Sequence, residues 1–84
     1  MKHFANGPFW DCYGKLPDNV RSLADKNFSL LKENPHHPSL HFKQIGRYWS
    51  VGVGIHHRAL AVQIGQDLIW FWIGSHAAYD RLMP

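Results

Sequence analysis

The segment Asn34-Pro35-His36-His37-Pro38 divides this chain by hydrophobic period. Before it, Val20, Leu23, Ala24, Phe28 and Leu31 recur at three- and four-residue steps, which places them on one stripe of an amphipathic helix. After it, apolar residues alternate with polar ones or glycine: Leu40 and Phe42 with His41 and Lys43, then Trp49, Val51 and Val53 with Ser50, Gly52 and Gly54. That is the period of a strand. A helix cannot run through the segment, because the residue before a proline is pushed out of the α region and Pro35 has no N–H to donate. Helices therefore come first and strands second, the order expected of an α+β domain.

The helical part reads as a pair. Gly7-Pro8 followed by Phe9, Trp10 and Tyr13 predicts a short helix over Pro8–Lys15, with proline in its first turn. Pro17 interrupts, Asp18 is suited to an N-cap, and the main helix runs from there to the residues before Asn34. The strand part starts at Leu40 and turns at Gly46-Arg47, and continues as Trp49–Val53 and Arg58–Ile64. After a turn at Gly65-Gln66-Asp67, the run Leu68–Ile73 is apolar on both faces and reads as the most buried strand. Residues 74–82 read as a loop or short final helix. The expected architecture is two helices packed on one face of a small, curved, mostly antiparallel sheet, with the opposite face partly open. On that open face alternation places Ser50, Gly52, His41 and Lys43, a basic surface. Arg58 shares parity with Leu60 and Val62, so it joins that surface only through a bulge or from beyond the strand end.

Eighty-four residues allow one domain, here 1–84, and 45% apolar residues with 18% charged exclude an intrinsically disordered chain. The single cysteine, Cys12, excludes an internal disulfide and suits a reducing cytoplasm. The longest apolar stretch, Leu68 to Gly74, is too short to cross a bilayer, and no signal-peptide pattern opens the chain, so neither a membrane partner nor secretion is expected. A formal charge of +3, with every histidine but His3 lying after Glu33, points to a polyanionic partner. The pairs His36-His37 and His56-His57 lack the spacing of a zinc site, and no metal or cofactor is expected.

The string NPHHPSLHFKQIGRYWSVGVGIHHRALAV, followed by LIWFWIGSHAAYDRL, resembles the RelE/ParE superfamily of bacterial toxins from type II toxin–antitoxin systems. The most specific pieces are Asn34-Pro35-x-x-Pro38-Ser39-Leu40, Trp49-Ser50-Val51, Arg58 at the start of a strand, and Ile73-Gly74-x-His76 with Tyr79 and Asp80. The resemblance implies the same pair of helices on a sheet, a cognate antitoxin as partner, and one of two activities. RelE-like members cut ribosome-bound mRNA without a metal, using the RNA's own 2′-hydroxyl as nucleophile. ParE-like members inhibit DNA gyrase without catalysis. An inactive homologue that binds only its antitoxin is the third reading.

For the ribonuclease the resemblance implies Arg58, His76 and Tyr79 as catalytic residues. The guanidinium can hold the scissile phosphate as charge builds. The imidazole can move a proton near neutrality, and the phenol can stack on a base. Lys43, His41 and Arg81 are candidate RNA contacts. Each has a plainer reading; Arg58 in particular could pair with Asp67 or Asp80. Gly52 departs from the pattern, because relatives usually read Trp-Ser-Val-Arg and this strand has lost a cation at that position. On this reading glycine weakens both strand and site, and an arginine restored there would raise toxicity.

Overall fold

The computed structural model describes residues 1–83. Strand β1 (His3–Ala5) is followed by helices α1 (Gly7–Gly14) and α2 (Asp18–Glu33) and a 3-10 turn at Pro38–Leu40. Strands β2 (Lys43–Ile45), β3 (Tyr48–Val53), β4 (His57–Ile64) and β5 (Asp67–Ser75) come next, and helix α3 (His76–Leu82) ends the described chain. The sheet order is β1-β5-β4-β3-β2, antiparallel throughout except that β1 lies parallel to β5.

The two N-terminal helices form where the sequence predicts them. Asn6 caps α1 by accepting a hydrogen bond from the Phe9 N–H at 3.1 Å, and Pro8 occupies the first turn, where a missing N–H costs nothing. Asp18 is the first residue of α2 and not its cap; Pro17 takes the cap position. The Asp18 carboxylate pairs instead with Arg21, which also donates to the Leu16 carbonyl at 2.7 Å. Leu16 with Val20 and Leu31 of α2 pack against Val51, Val53, Ala59, Ala61, Leu68, Trp70 and Ile73 of the sheet, and this is the core.

Three expectations are corrected. The segment at Leu40 is not a strand: it closes a 3-10 turn, and His41 follows with φ +46°, the left-handed region, so pairing begins only at Lys43. The face of β4 that meets the helices carries Ala59 and Ala61, while Leu60 stands opposite Ser50 on the other face together with Arg58. Arg58 therefore reaches that face by simple alternation, with no bulge required. The sheet does have an irregularity, between Leu60 and Ala61, where the partner on β5 jumps from Trp72 to Trp70. The extra residue, Phe71, sends Trp70 into the helix-side core and Trp72 to the opposite face. Two tryptophans two residues apart are thus divided between the two sides of the sheet. Gly74 permits this arrangement, because a Cβ there would lie 2.6 Å from the Trp72 ring.

Strand β1 lies where the sequence predicts no element, because three residues with no alternating pattern give little signal. It is held by the pairing of His3, Phe4 and Ala5 with Leu68, Ile69 and Trp70. The Trp70 indole N–H donates to His3 Nδ1 at 3.1 Å, and the two rings stack. Burial, then the N-terminal ammonium, then Lys32 hold the His3 imidazole below its ordinary pKa. The unfolded chain therefore takes up this proton first as pH falls. The stabilisation from neutral His3 is present above the unfolded value of about 6.5 and is lost as pH drops through the lower folded value. Thermal midpoints measured from pH 7.5 to 5 should fall more steeply for the parent chain than for His3→Gln, which keeps an acceptor for Trp70 and does not titrate. Identical slopes would exclude His3 as the source.

Candidate functional site

The face of the sheet turned away from α1 and α2 carries two cross-strand rows. Lys43, Ser50, Leu60 and Trp72 form one; Gly52, Arg58 and Gly74 form the next. The face is not open as the alternation alone implied. Ser50 is 0% and Leu60 2% exposed, because the 3-10 turn closes over β3 and α3 packs on β4 and β5.

Arg58 is the centre of this arrangement and is only 8% exposed. Its Nε donates to Ser50 Oγ at 2.8 Å, and Nη2 donates to the His41 carbonyl at 3.2 Å. The left-handed backbone at His41 directs that carbonyl at the guanidinium. The Tyr79 ring lies over Arg58, its centroid 5.2 Å from Cζ, a cation–π contact made by a residue that is itself buried. Gly52, paired directly with Arg58, lets the Leu40 carbonyl approach closely: a Cβ there would lie 3.2 Å from that oxygen and in ordinary contact, 3.6 Å, with Arg58 Nη1. Among the described residues no carboxylate pairs with Arg58, so the ion pair with Asp67 or Asp80 is not formed. A guanidinium taken this far out of water with neutral partners alone keeps its charge available to an anion.

His76 opens α3 and Ser75 caps it, accepting from the Ala78 N–H at 3.1 Å. The imidazole is exposed, 5.7 Å from the Tyr79 ring between centroids, and its Nδ1 is 3.2 Å from Asp80 Oδ2. With Nδ1–H given to the carboxylate, Nε2 is the nitrogen free to accept a proton. Arg58, Tyr79 and His76 therefore form one chain of contacts, brought together from β4 and α3. Lys43 and Arg81 are exposed, and neither side chain has a hydrogen-bond or ion-pair partner among the described residues. His41 contributes through its carbonyl, whereas the sequence points only to its ring. Ser50 and Asp80 are further polar partners of Arg58 and His76. The alternation that turned Ser50 away from the helices was the available signal for the first, and the four-residue spacing of His76 and Asp80 on a helix for the second. No group of three or more His, Cys, Asp or Glu side chains able to hold a metal ion is found among the described residues. No helix among them is long and apolar enough to cross a membrane.

No family model matches the chain, and no curated protein matches it in sequence. Solved structures match over nearly its whole length. The RelB–RelE antitoxin–toxin complex from Methanococcus jannaschii superposes with a TM-score of 0.73 at 14% identity, covering 96% of this chain and 99% of that one. YafQ from E. coli gives 0.69 at 16% identity over 94% and 97%. The isolated E. coli RelE toxin gives 0.62 at 11% identity over 96% and 94%.

Proposed function

The chain has the fold of the RelE/ParE-type toxins; we propose that it is the toxin of a type II toxin–antitoxin pair and acts as a RelE-like, ribosome-dependent mRNA endoribonuclease. Its partners on this reading are a cognate antitoxin and ribosome-bound mRNA, and its setting is the cytoplasm. The observation that carries the proposal is Arg58, a largely buried guanidinium held by a hydroxyl, a carbonyl and an aromatic ring, with no carboxylate paired to it among the described residues. In the reaction the RNA 2′-hydroxyl attacks the adjacent phosphorus and the 5′-oxygen of the next nucleotide leaves, giving a 2′,3′-cyclic phosphate and a 5′-hydroxyl. Arg58 stabilises the charge on the pentavalent phosphorane. His76 Nε2 takes the proton of the 2′-hydroxyl, with Asp80 holding the ring, and solvent protonates the departing 5′-oxygen. Lys43, His41 and Arg81 contact flanking phosphates. Tyr79 shields Arg58, so the phosphate engages the guanidinium after the ring moves aside and can stack on a base.

That same shielding, with Gly52 in place of a cation, favours a second reading in which the chain is non-catalytic, either a ParE-like inhibitor of DNA gyrase or a homologue that only binds its antitoxin. A cell-free translation reaction with mRNA ends mapped by primer extension separates these. The expected result is new ends within ribosome-bound codons, reduced about 10²–10⁴-fold by His76→Ala. Absence of cleavage together with blocked supercoiling would establish the gyrase reading, and silence in both assays the antitoxin-binding one.

A further inference from the structure

On the side of the sheet opposite Arg58 the helices leave a cavity of about 370 Å³. Its floor includes Val51, Ala59 and Trp70, and its walls include Tyr13 of α1 with Ala24 and Phe28 of α2. The space has a local cause. Helix α2 is seated on the core through Val20 and Leu31, whereas Ala24 between them lines the cavity with a short side chain, as Ala59 does from the sheet. The cavity is open to solvent on one side, where Phe4, Trp10 and Phe28 stay exposed, and a bound group would supply the contacts these rings lack. Its volume lies within the range of small-molecule pockets.

The polar groups on the lining decide the class of occupant. Trp70 Nε1 is bonded to His3 Nδ1, the Tyr13 hydroxyl donates to Asp25 at 2.8 Å, and Asn27 Nδ2 donates to the Gly52 carbonyl at 3.2 Å. These groups are tied to the protein itself. An extended peptide segment entering the cavity would bring backbone N–H and C=O groups that need partners, and a charged ligand would leave water with only Asp25 to answer it, a solvent-exposed carboxylate already bonded to Tyr13. A planar aromatic molecule makes neither demand and stacks well on walls rich in Phe, Tyr and Trp. We infer that this cavity is a binding site for a neutral, planar aromatic small molecule of one or two rings, separate from the Arg58 site and formed by different residues.

Indole is a suitable probe, since it is neutral and its one N–H can stay at the solvent-facing mouth. In a titration of the full chain followed by 1H–15N correlation spectra, the Trp70 indole N–H resonance should shift saturably, with a dissociation constant of about 1 mM or tighter. Ala24→Leu and Ala59→Val fill the cavity from opposite walls. Each should weaken binding about tenfold or more and raise the thermal midpoint of the unliganded protein. The two variants guard against one failing to fold. The proposal is overturned if Trp70 does not shift up to the solubility of indole, if binding survives both substitutions in folded protein, or if the shifts map to Arg58 and Tyr79. mRNA cleavage is scored separately, so loss of the ribonuclease reading leaves this test intact.

Discussion

Replacing Arg58 by alanine is expected to lower mRNA cleavage about 10²–10³-fold, the usual cost of removing one preorganised stabiliser of transition-state charge. The size of the effect follows from where the guanidinium is held. Ser50 and the His41 carbonyl fix two of its nitrogens, so once the Tyr79 ring has moved aside the guanidinium itself is already placed when the phosphorane forms. Arg58→Lys tests that reasoning separately from charge. A lysine carries the same charge on a single nitrogen and cannot hold Ser50 and His41 in the fork geometry, so it should recover only a small part of the activity. Both variants also leave polar groups short of a partner: Ser50 is fully buried, and an unsatisfied buried group costs about 1–3 kcal/mol. Thermal midpoints must accordingly be measured beside cleavage. Loss of activity in protein that is still folded at the assay temperature supports the assignment. Cleavage by Arg58→Ala within a few-fold of the parent would remove Arg58 from the mechanism.

The fold was legible because the two hydrophobic periods in this chain are unambiguous. The stripe from Val20 to Leu31 can only be a helix face, and the alternation from Trp49 to Val53 matches β3 and its buried side. What the sequence concealed was set by packing. Parity alone made Leu60 and Val62 the natural core residues of β4, yet Ala59 and Ala61 face the helices, because Trp70 and Ile73 of the next strand already occupy that layer. Nor could periodicity reveal the bulge at Phe71, since a run that is apolar at every position gives no alternation to break. The candidate site was half legible as a cluster of contacts. The family pattern led to Arg58, Tyr79 and His76, and the structure joins all three. The carbonyl of His41 has no signature in a side-chain sequence, because its role depends on one left-handed backbone conformation.

Gly52 marks the sharpest contrast between pattern and structure, and it leads to the second large effect. The resemblance presents glycine here as a lost cation, and restoring arginine as a gain. The packing argues the reverse. A Cβ at this position would lie 3.2 Å from the Leu40 carbonyl, in a turn whose Leu40 side chain is fully buried, so the turn cannot easily retreat. It would also lie 3.6 Å from Arg58 Nη1. A second guanidinium extended from there would be a buried like charge, with no carboxylate paired to Arg58 among the described residues to balance it. Gly52→Arg is therefore expected to destabilise the protein by about 3–5 kcal/mol, the scale of an uncompensated buried charge. For a domain of this length each 1 kcal/mol lowers the thermal midpoint by about 4–8 °C, so the loss should be plain in a melting curve. Gly52→Ala isolates the steric part and should cost about 1–3 kcal/mol. The gain in cleavage implied by the resemblance should not appear. If Gly52→Arg instead melts with the parent and cleaves faster, the 3-10 turn and α3 must open in the active state, and glycine would then be an attenuating substitution. Equal stability with unchanged cleavage would mean that an arginine at this position turns out to solvent, clear of Arg58.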